Sequence, residues 1–401
     1  MPRFEPFAGL RYASGRVRMD DVIAPPYDVI SPEEQQALEG RSPHNSVRVE
    51  LPRAEPGLDR YSVAARLLAQ WRAEGVVARD VVPAFYGYRM RFTDDERHPR
   101  QSVGVIGALG LEPPAPGGIL PHERTTPKAR SDRLQLLRAT RANLSPIWGL
   151  SLATGLSDLL MAPQTAPVQA VDDDSVTHVL WPITDAKQVT GITEAVGSAP
   201  VVIADGHHRF ETALTYQQER RATAGVQTGP FDLVMAFVVE LVEEQLSVMP
   251  THRLISGLPG DFDLQGTLSS EFEVVATDPP DVTVGSRMQQ TGALALVTAN
   301  GTWLLIPRTG VPRSSDPEDV DSMRLEPVLA KLPAHEVTYQ HGWDLAAAAV
   351  AKGAAQAAIL LRPPTVSQIA ETGRGGERMP PKTTYFWPKP RTGLVFREVG
   401  G

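Results

Sequence analysis

Residues able to do chemistry are concentrated in one uninterrupted run, VVIADGHHRFETAL, from Val201 to Leu214. Val201 to Ala204 are apolar or small and predict a short buried strand. Gly206 predicts a tight turn, and Phe210, Ala213 and Leu214 recur at helical spacing. The turn therefore delivers His207, His208 and Arg209 to a helix start. There, unpaired backbone N–H groups and the positive end of the helix dipole attract anions. Arg209 adds a planar, permanently charged fork suited to phosphate. The two imidazoles can donate hydrogen bonds or move protons near neutral pH. Asp205 ends the strand, where open α/β sheets bind ligands. The run is expected to handle phosphate or a nucleotide. The competing reading is a helix that merely opens on polar residues and pairs Asp205 with Arg209 for structure.

Other stretches carry similar chemistry. IAPPYDVIS, from Ile23 to Ser31, holds Tyr27 and Asp28 on a loop stiffened by Pro25 and Pro26. Ser31, followed by Pro32, Glu33 and Glu34, predicts a helix entry with cap, proline and first-turn acid. LPHERTTPKARSDRLQLLRATRANLSPIW, from Leu120 to Trp148, crowds His122, Glu123, Arg124, Lys128 and Arg130 into a loop, and Ser131 is expected to cap the following helix. Thr251, His252 and Arg253 follow Pro250. MPPKTTYFWPK, from Met379 to Lys389, offers Lys382 and Lys389 to an anion or, alternatively, covers a sheet with its aromatics.

The elements that must position these groups read clearly in places. Asp59 to Gly75 predicts an amphipathic helix with Val63, Leu67, Leu68 and Trp71 on one face. Val81–Phe92 and Ser102–Leu111 predict a hairpin. Leu233 to Leu241 is nearly all apolar, the pattern of a strand buried on both faces. Val366–Glu371 predicts a short helix before a flexible Gly373–Gly376. The expected class is α/β or α+β with a mixed sheet. The expected division is 1–260 as a phosphate- or nucleotide-binding core, 261–360 as an added α/β subdomain, and 361–401 as a segment packing back on the core.

Composition excludes several functions. Of 401 residues, 42% are hydrophobic, enough for a core, and the formal net charge of −8 argues against a general nucleic-acid binder. With no cysteine, thiolate metal sites, cysteine nucleophiles and disulfides are excluded. No signal-type or membrane-spanning run is present, so a soluble cytoplasmic protein is expected, without a membrane partner. The chain lacks the H-E-x-x-H, Walker-type, G-x-G-x-x-G and G-x-S-x-G patterns. The inventory fits phosphoryl transfer, which needs cations around the transferring oxygens and a base to orient the attacking hydroxyl. Arg209, Arg253, Lys128 and the helix start supply the cations. Glu123, Asp205 or a histidine such as His208 supplies the base.

The motifs IAPPYDVIS, LPHERT with SDRLQLLRATRANLSPIW, IADGHHRFETAL, MPTHRL and RMPPKTTYFWPK together resemble the domain of unknown function 1015 family, over about residues 4 to 397. More distantly, ADGHHRFETA is similar to a box of the ParB and sulfiredoxin superfamily, which includes kinases of free serine. That resemblance implies that Gly206, His207, His208 and Arg209 cradle nucleotide phosphates, and that an N-terminal acid, Asp28 or Glu123, is catalytic. The absence of cysteine argues against a sulfiredoxin, and the acidic balance argues against a partition protein. The expectation is a small-molecule kinase moving a phosphoryl group from ATP or ADP, with Mg2+ brought by the nucleotide, to a metabolite hydroxyl, with free L-serine the best single choice. Tyr27, His122, Thr251, His252 and Lys382 are the expected substrate contacts. A phosphoester hydrolase and a nucleotide-gated binding protein are the alternatives, and a homodimer is allowed.

Overall fold

The computed structural model describes residues 1–94, 97–113, 118–121, 127–160, 167–224, 227–308, 320–375 and 379–400. Contacts divide the chain into two compact units. The first is built on the described residues up to Ser247 together with those from Pro388 onward, and the second on those from Val248 to Trp387.

The first unit is organised around a mixed sheet of nine strands. Along it lie Ile119–Pro121, Val201–Asp205, Ile147–Ser151, Leu233–Glu240, Pro99–Gly110, Phe85–Thr93, Thr177–Ile183 and Val168–Val171, with Phe4–Glu5 paired to Pro99–Gly110. Val201–Asp205 runs parallel to Ile119–Pro121 and antiparallel to Ile147–Ser151. Leu233–Glu240 runs parallel to Ile147–Ser151 and antiparallel to Pro99–Gly110. Every residue of Leu233–Glu240 is buried, as its unbroken apolar run predicts. The expected hairpin is present, with Phe85–Thr93 paired antiparallel to Pro99–Gly110.

Alternate residues of the central strands build one core, and the helices and the C-terminal segment build another. Val201 and Ile203 join Ile147, Val234, Phe210 and Ala213 in one cluster, which also takes Ile192 and Val196 of the Ala186–Gly197 helix. Trp71, Leu68, Leu136 and Leu144 belong to a second cluster, with Phe396 of the C-terminal segment. The Arg60–Ala73 helix is capped by Asp59, whose carboxylate accepts from the N–H groups of Tyr61 and Ser62. Ser31 caps Pro32–Arg41 through the N–H of Glu34. Ser131 is not a cap. The helix runs Pro127–Thr140, because Pro127 already supplies the preset first-turn φ.

The second unit carries an antiparallel six-stranded sheet in the order Phe272–Thr277, Gly301–Pro307, Leu294–Thr298, Ala357–Leu360, His252–Ser256 and Glu336–Gln340. His252–Ser256 pairs with both Glu336–Gln340 and Ala357–Leu360, so the contact boundary falls before residue 260. The expected segment 361–401 is likewise divided at Pro388, and its helix runs Val366–Gly375, through the glycine expected to be flexible. Among the described residues, no helix is long and apolar enough to cross a membrane.

Candidate functional site

The Val201–Asp205 strand and the His207–Ala224 helix meet at Gly206, whose φ of +88° lies in the left-handed region that favours glycine. A Cβ on Gly206 would lie 3.0 Å from Nε of Arg209 and 3.1 Å from its Nη2. The turn therefore needs glycine twice, once for its backbone and once because the guanidinium of Arg209 folds back across it. That guanidinium donates from Nη2 to Oδ2 of Asp205 at 2.6 Å and from Nη1 to the carbonyl of Pro146. The other carboxylate oxygen, Oδ1, accepts from Nζ of Lys389. All three side chains are largely withdrawn from water, at 13% exposure for Arg209, 15% for Asp205 and 7% for Lys389.

Other chemistry-bearing motifs converge on this clasp within the first unit. Tyr27–Val29 forms a single 3-10 turn after Pro26. The guanidinium of Arg133 stands 4.1 Å from the centre of the Tyr27 ring. Burial pushes the Tyr27 hydroxyl above its ordinary pKa, with Asp28 adding to the shift and Arg209 and Arg133 opposing it. Burial works against the charge on Arg209, but Asp205, Asp28, Tyr27 and Glu50 together hold its pKa above the ordinary value. Arg133 donates to the carbonyl of Glu50 at 2.7 Å and to Asp132 at 2.9 Å. The Glu50 carboxylate is buried and accepts from Oγ of Ser145 at 2.9 Å. A cavity of about 50 Å3 lies among Glu50, Arg133, Ser145, Arg209 and Thr212, backed by Leu136 and Leu144. The hydroxyl of Thr212 is buried beside it and has no hydrogen-bond partner among the described residues.

The C-terminal segment mounts Lys389. Thr392 exchanges backbone hydrogen bonds of 2.9 and 3.1 Å with Ala24, just before the Tyr27–Asp28 loop, and its carbonyl accepts from Ser46. Arg391 donates from Nε to Asp172 at 2.7 Å and from its backbone N–H to the Tyr88 hydroxyl at 3.2 Å. Tyr88 and Asp172 each lie 2.8 Å from a ring nitrogen of the wholly buried His178. Tyr88 accepts from Arg391, so its own proton goes to Nδ1 of His178, and the Nε2 proton goes to Asp172. Burial lowers the pKa of His178, which fits this neutral tautomer. Burial also works against ionised Asp172, but His178 and Arg391 bring it down to about 2.

The expected site residues therefore fall into separate groups. Tyr27, Asp28, Asp205, Gly206, His207, His208 and Arg209 lie together in the first unit, with His207 buried and His208 half-buried at the helix start. Thr251, His252, Arg253 and Lys382 belong to the second unit. There buried Arg253 donates to the carbonyls of Thr251 at 2.8 Å and Lys382 at 2.9 Å. His252 accepts the N–H of Leu361 on Nδ1 at 3.2 Å, and burial, then His341 and Arg253, lower its pKa to about 4. His122 and Glu123 lie outside the described residues, as does the Lys128 side chain. Sequence reasoning missed Glu50, Arg133 and Ser145. The last two sit inside the LPHERT–SPIW motif, whereas the sequence VRVE of the Val47–Glu50 helix gave no hint that Glu50 would border the cavity.

Fold and site define a mixed α/β protein with an arginine clasped at the turn between a strand and a helix. Residues 4–334 match the family described as "Protein of unknown function (DUF1015)", and the chain belongs to that family. No curated protein matches it. Among solved structures, a conserved hypothetical protein from Pyrococcus furiosus is 18% identical, with 67% of this chain and 86% of that one covered and a TM-score of 0.36. A free serine kinase in complex with AMP is 15% identical, with coverage of 70% and 88% and a TM-score of 0.38. SbnI with a C-terminal truncation from Staphylococcus aureus is 12% identical, with coverage of 72% and 86% and a TM-score of 0.39.

Two measurements check this account. Gly206→Ala should cost about 1–3 kcal/mol in urea unfolding, because it strains the turn and displaces Arg209. Unchanged stability would show that the turn tolerates a Cβ. For His252, the folded-state pKa lies below the unfolded value. Its contribution to stability is therefore present above about pH 6.5 and is lost as pH falls towards about 4. Melting temperature should decline over that window in the wild type and less steeply in His252→Gln. Parallel declines would remove His252 as the source.

Proposed function

We propose that this chain is a nucleotide-dependent phosphotransferase acting on the hydroxyl of a small metabolite, with free L-serine as the first acceptor to test. The observation that carries the proposal is the convergence of Tyr27, Asp28, Arg133, Asp205 and Arg209 at one helix start. Phosphoryl transfer asks for fixed cations around the transferring oxygens and a carboxylate near the attacking hydroxyl. Arg209, His207, His208 and the backbone N–H groups of the turn would hold donor phosphates, in the manner of a ParB/sulfiredoxin-like phosphate-binding core. The fit to a phosphate group rests on the Gly206 turn, where the absence of a Cβ lets backbone and guanidinium lie against one another.

Asp205 has both carboxylate oxygens engaged, by Arg209 and Lys389, so in this arrangement it orients cations. Asp28 is exposed and, among the described residues, not held in such a clasp, which makes it a stronger candidate than Asp205 for orienting the acceptor hydroxyl, with Glu123 the other. The cavity bordered by Glu50, Arg133, Ser145 and Thr212 is small and polar at one end, suited to part of a compact polar acceptor. Among the described residues no group of three or more His, Asp or Glu is arranged to hold a metal ion. A magnesium ion would be held by the nucleotide phosphates, water and a single carboxylate.

The test is direct. Purified protein with Mg2+, L-serine and either ATP or ADP should yield O-phosphoserine, followed by 31P NMR. Asp28→Asn should lower kcat by about 10²-fold or more with little change in nucleotide affinity, as expected for loss of a general base. No product from serine or a panel of hydroxy-metabolites, despite nucleotide binding, would reduce the protein to a nucleotide binder. Hydrolysis of phosphoserine without nucleotide would make it a phosphatase.

A further inference from the structure

The cavity beside Arg209 has a polar end of specific chemistry. The cavity measures about 50 Å3, room for about three to five water-sized groups. It lies beside the candidate helix start, with Thr212 one turn beyond His208 on the same helix. Leu136, Leu144 and Val234 give it an apolar wall. Glu50 at 2% exposure, Ser145 at 6% and Thr212 at 3% form its buried polar end. Oγ of Ser145 donates its proton to Oε1 of Glu50 at 2.9 Å, so the serine is left as an acceptor for anything else. Among the described residues, Oε2 of Glu50 receives no hydrogen bond, and the Thr212 hydroxyl has no partner. A carboxylate only accepts, and a threonine hydroxyl accepts as well as donates.

The two guanidiniums at the wall are already engaged. Arg133 donates from Nη1 to the carbonyl of Glu50 and from Nε and Nη2 to Asp132. Arg209 donates from Nη1 to the carbonyl of Pro146 and from Nη2 to Asp205. Each cation therefore carries a carboxylate besides Glu50, and each terminal nitrogen already donates to an oxygen. Nη1 of Arg133 stands 3.9 Å from Oε1 of Glu50, on the oxygen that Ser145 also holds. Glu50, Ser145 and Thr212 thus make a set of acceptors whose formal charge is negative.

We propose that this cavity receives the protonated primary amine of the phosphoryl acceptor, with Glu50 as its counter-ion and the oxygens of Ser145 and Thr212 as its further acceptors. The inference rests on the phosphotransferase reading and adds the acceptor class to it: a small hydroxy-amine, in preference to an amine-free hydroxy acid or a polyol. An ammonium carries three donors and no acceptor, which matches three acceptor side chains. A buried charge is offset where an opposite charge and hydrogen bonds meet it, and these residues supply both. Such a site selects steeply, because a compound lacking the amine leaves the site's buried polar groups unpaired.

Calorimetry on the full chain, first titrated with ADP and then saturated with it, would compare matched pairs: L-serine with glycerate, and ethanolamine with ethylene glycol. Each pair keeps the hydroxyl and differs in the amine. The wild type should bind each amine about tenfold or more tightly than its analogue. Glu50→Gln should bring the amines down to the affinity of the analogues. Thr212→Val should weaken the amines by about threefold to tenfold, whereas Thr212→Ser, which keeps the hydroxyl, should bind them as the wild type does. Melting curves establish that each variant is folded. Equal affinity for amine and analogue in the wild type overturns the inference, as does amine affinity that survives in folded Glu50→Gln. If Glu50→Gln does not fold, the Thr212 variants decide: unchanged affinity in Thr212→Val, or an equal loss in Thr212→Ser, overturns it. ADP binding without amine preference removes the cavity assignment and leaves the nucleotide-binding reading standing. Absence of ADP binding removes that reading, and the inference with it.

Discussion

The carboxylate of Asp205 is the constraint on which the first unit's candidate site depends. It lies at the end of a buried strand, and both of its oxygens are engaged, one by Arg209 and one by Lys389. Removing a charge from water is costly, and the cost is offset only when partners are held in good geometry. The surrounding structure supplies that geometry. The turn at Gly206 brings Arg209 back over its own strand, and the carbonyl of Pro146 fixes a second nitrogen of the guanidinium. Deleting either cation would remove a charged partner from a largely buried carboxylate, which is a larger penalty than the loss of an exposed ion pair.

Behind this clasp stands a second buried polar assembly. Asp172, His178, Tyr88 and Arg391 satisfy one another so that a neutral imidazole lies wholly inside the sheet region. Such networks specify one arrangement when every member is satisfied. Here the arrangement they specify is the path of the C-terminal segment. That segment also bridges Ala24, so the loop carrying Tyr27 and Asp28 and the lysine reaching Asp205 share one support. Residues far apart in sequence are brought into register through backbone pairing, and the side chains then need little further organisation.

Much of this was legible in the sequence, for identifiable reasons. The Val201 strand, the Gly206 turn and the following helix were readable because a change from unbroken apolar residues to helical spacing across a glycine is a local signal. Ser31 was readable as a cap because the proline and acids after it agree with it. Ser131 misled because Pro127 starts the same helix earlier, and a serine inside a helix looks no different from one that begins it. Glu50 was not legible at all. Its partner Ser145 is 95 residues away, and nothing in VRVE says that its carboxylate will be buried. Lys389 was noticed as a cation, but its partner Asp205 lies 184 residues earlier, and only tertiary structure discloses such a pair. The boundary of the second unit fell where strand pairing, not composition, places it.

The interleaving of the two units along the chain carries a consequence for biogenesis. Apart from the short Arg397–Glu398 strand, the first unit's described strands and helices are translated before Val248, but Lys389, Arg391 and Thr392 follow only after the second unit's described residues have been made. At ordinary ribosomal speeds of about 5–20 residues per second, that interval lasts about 7–28 s. Throughout it, the nascent first unit holds Asp205, Asp172 and the backbone of Ala24 without their C-terminal partners. The candidate centre is therefore the last part of its unit to mature, and a polypeptide released early would present a nearly complete sheet with an unfinished pocket.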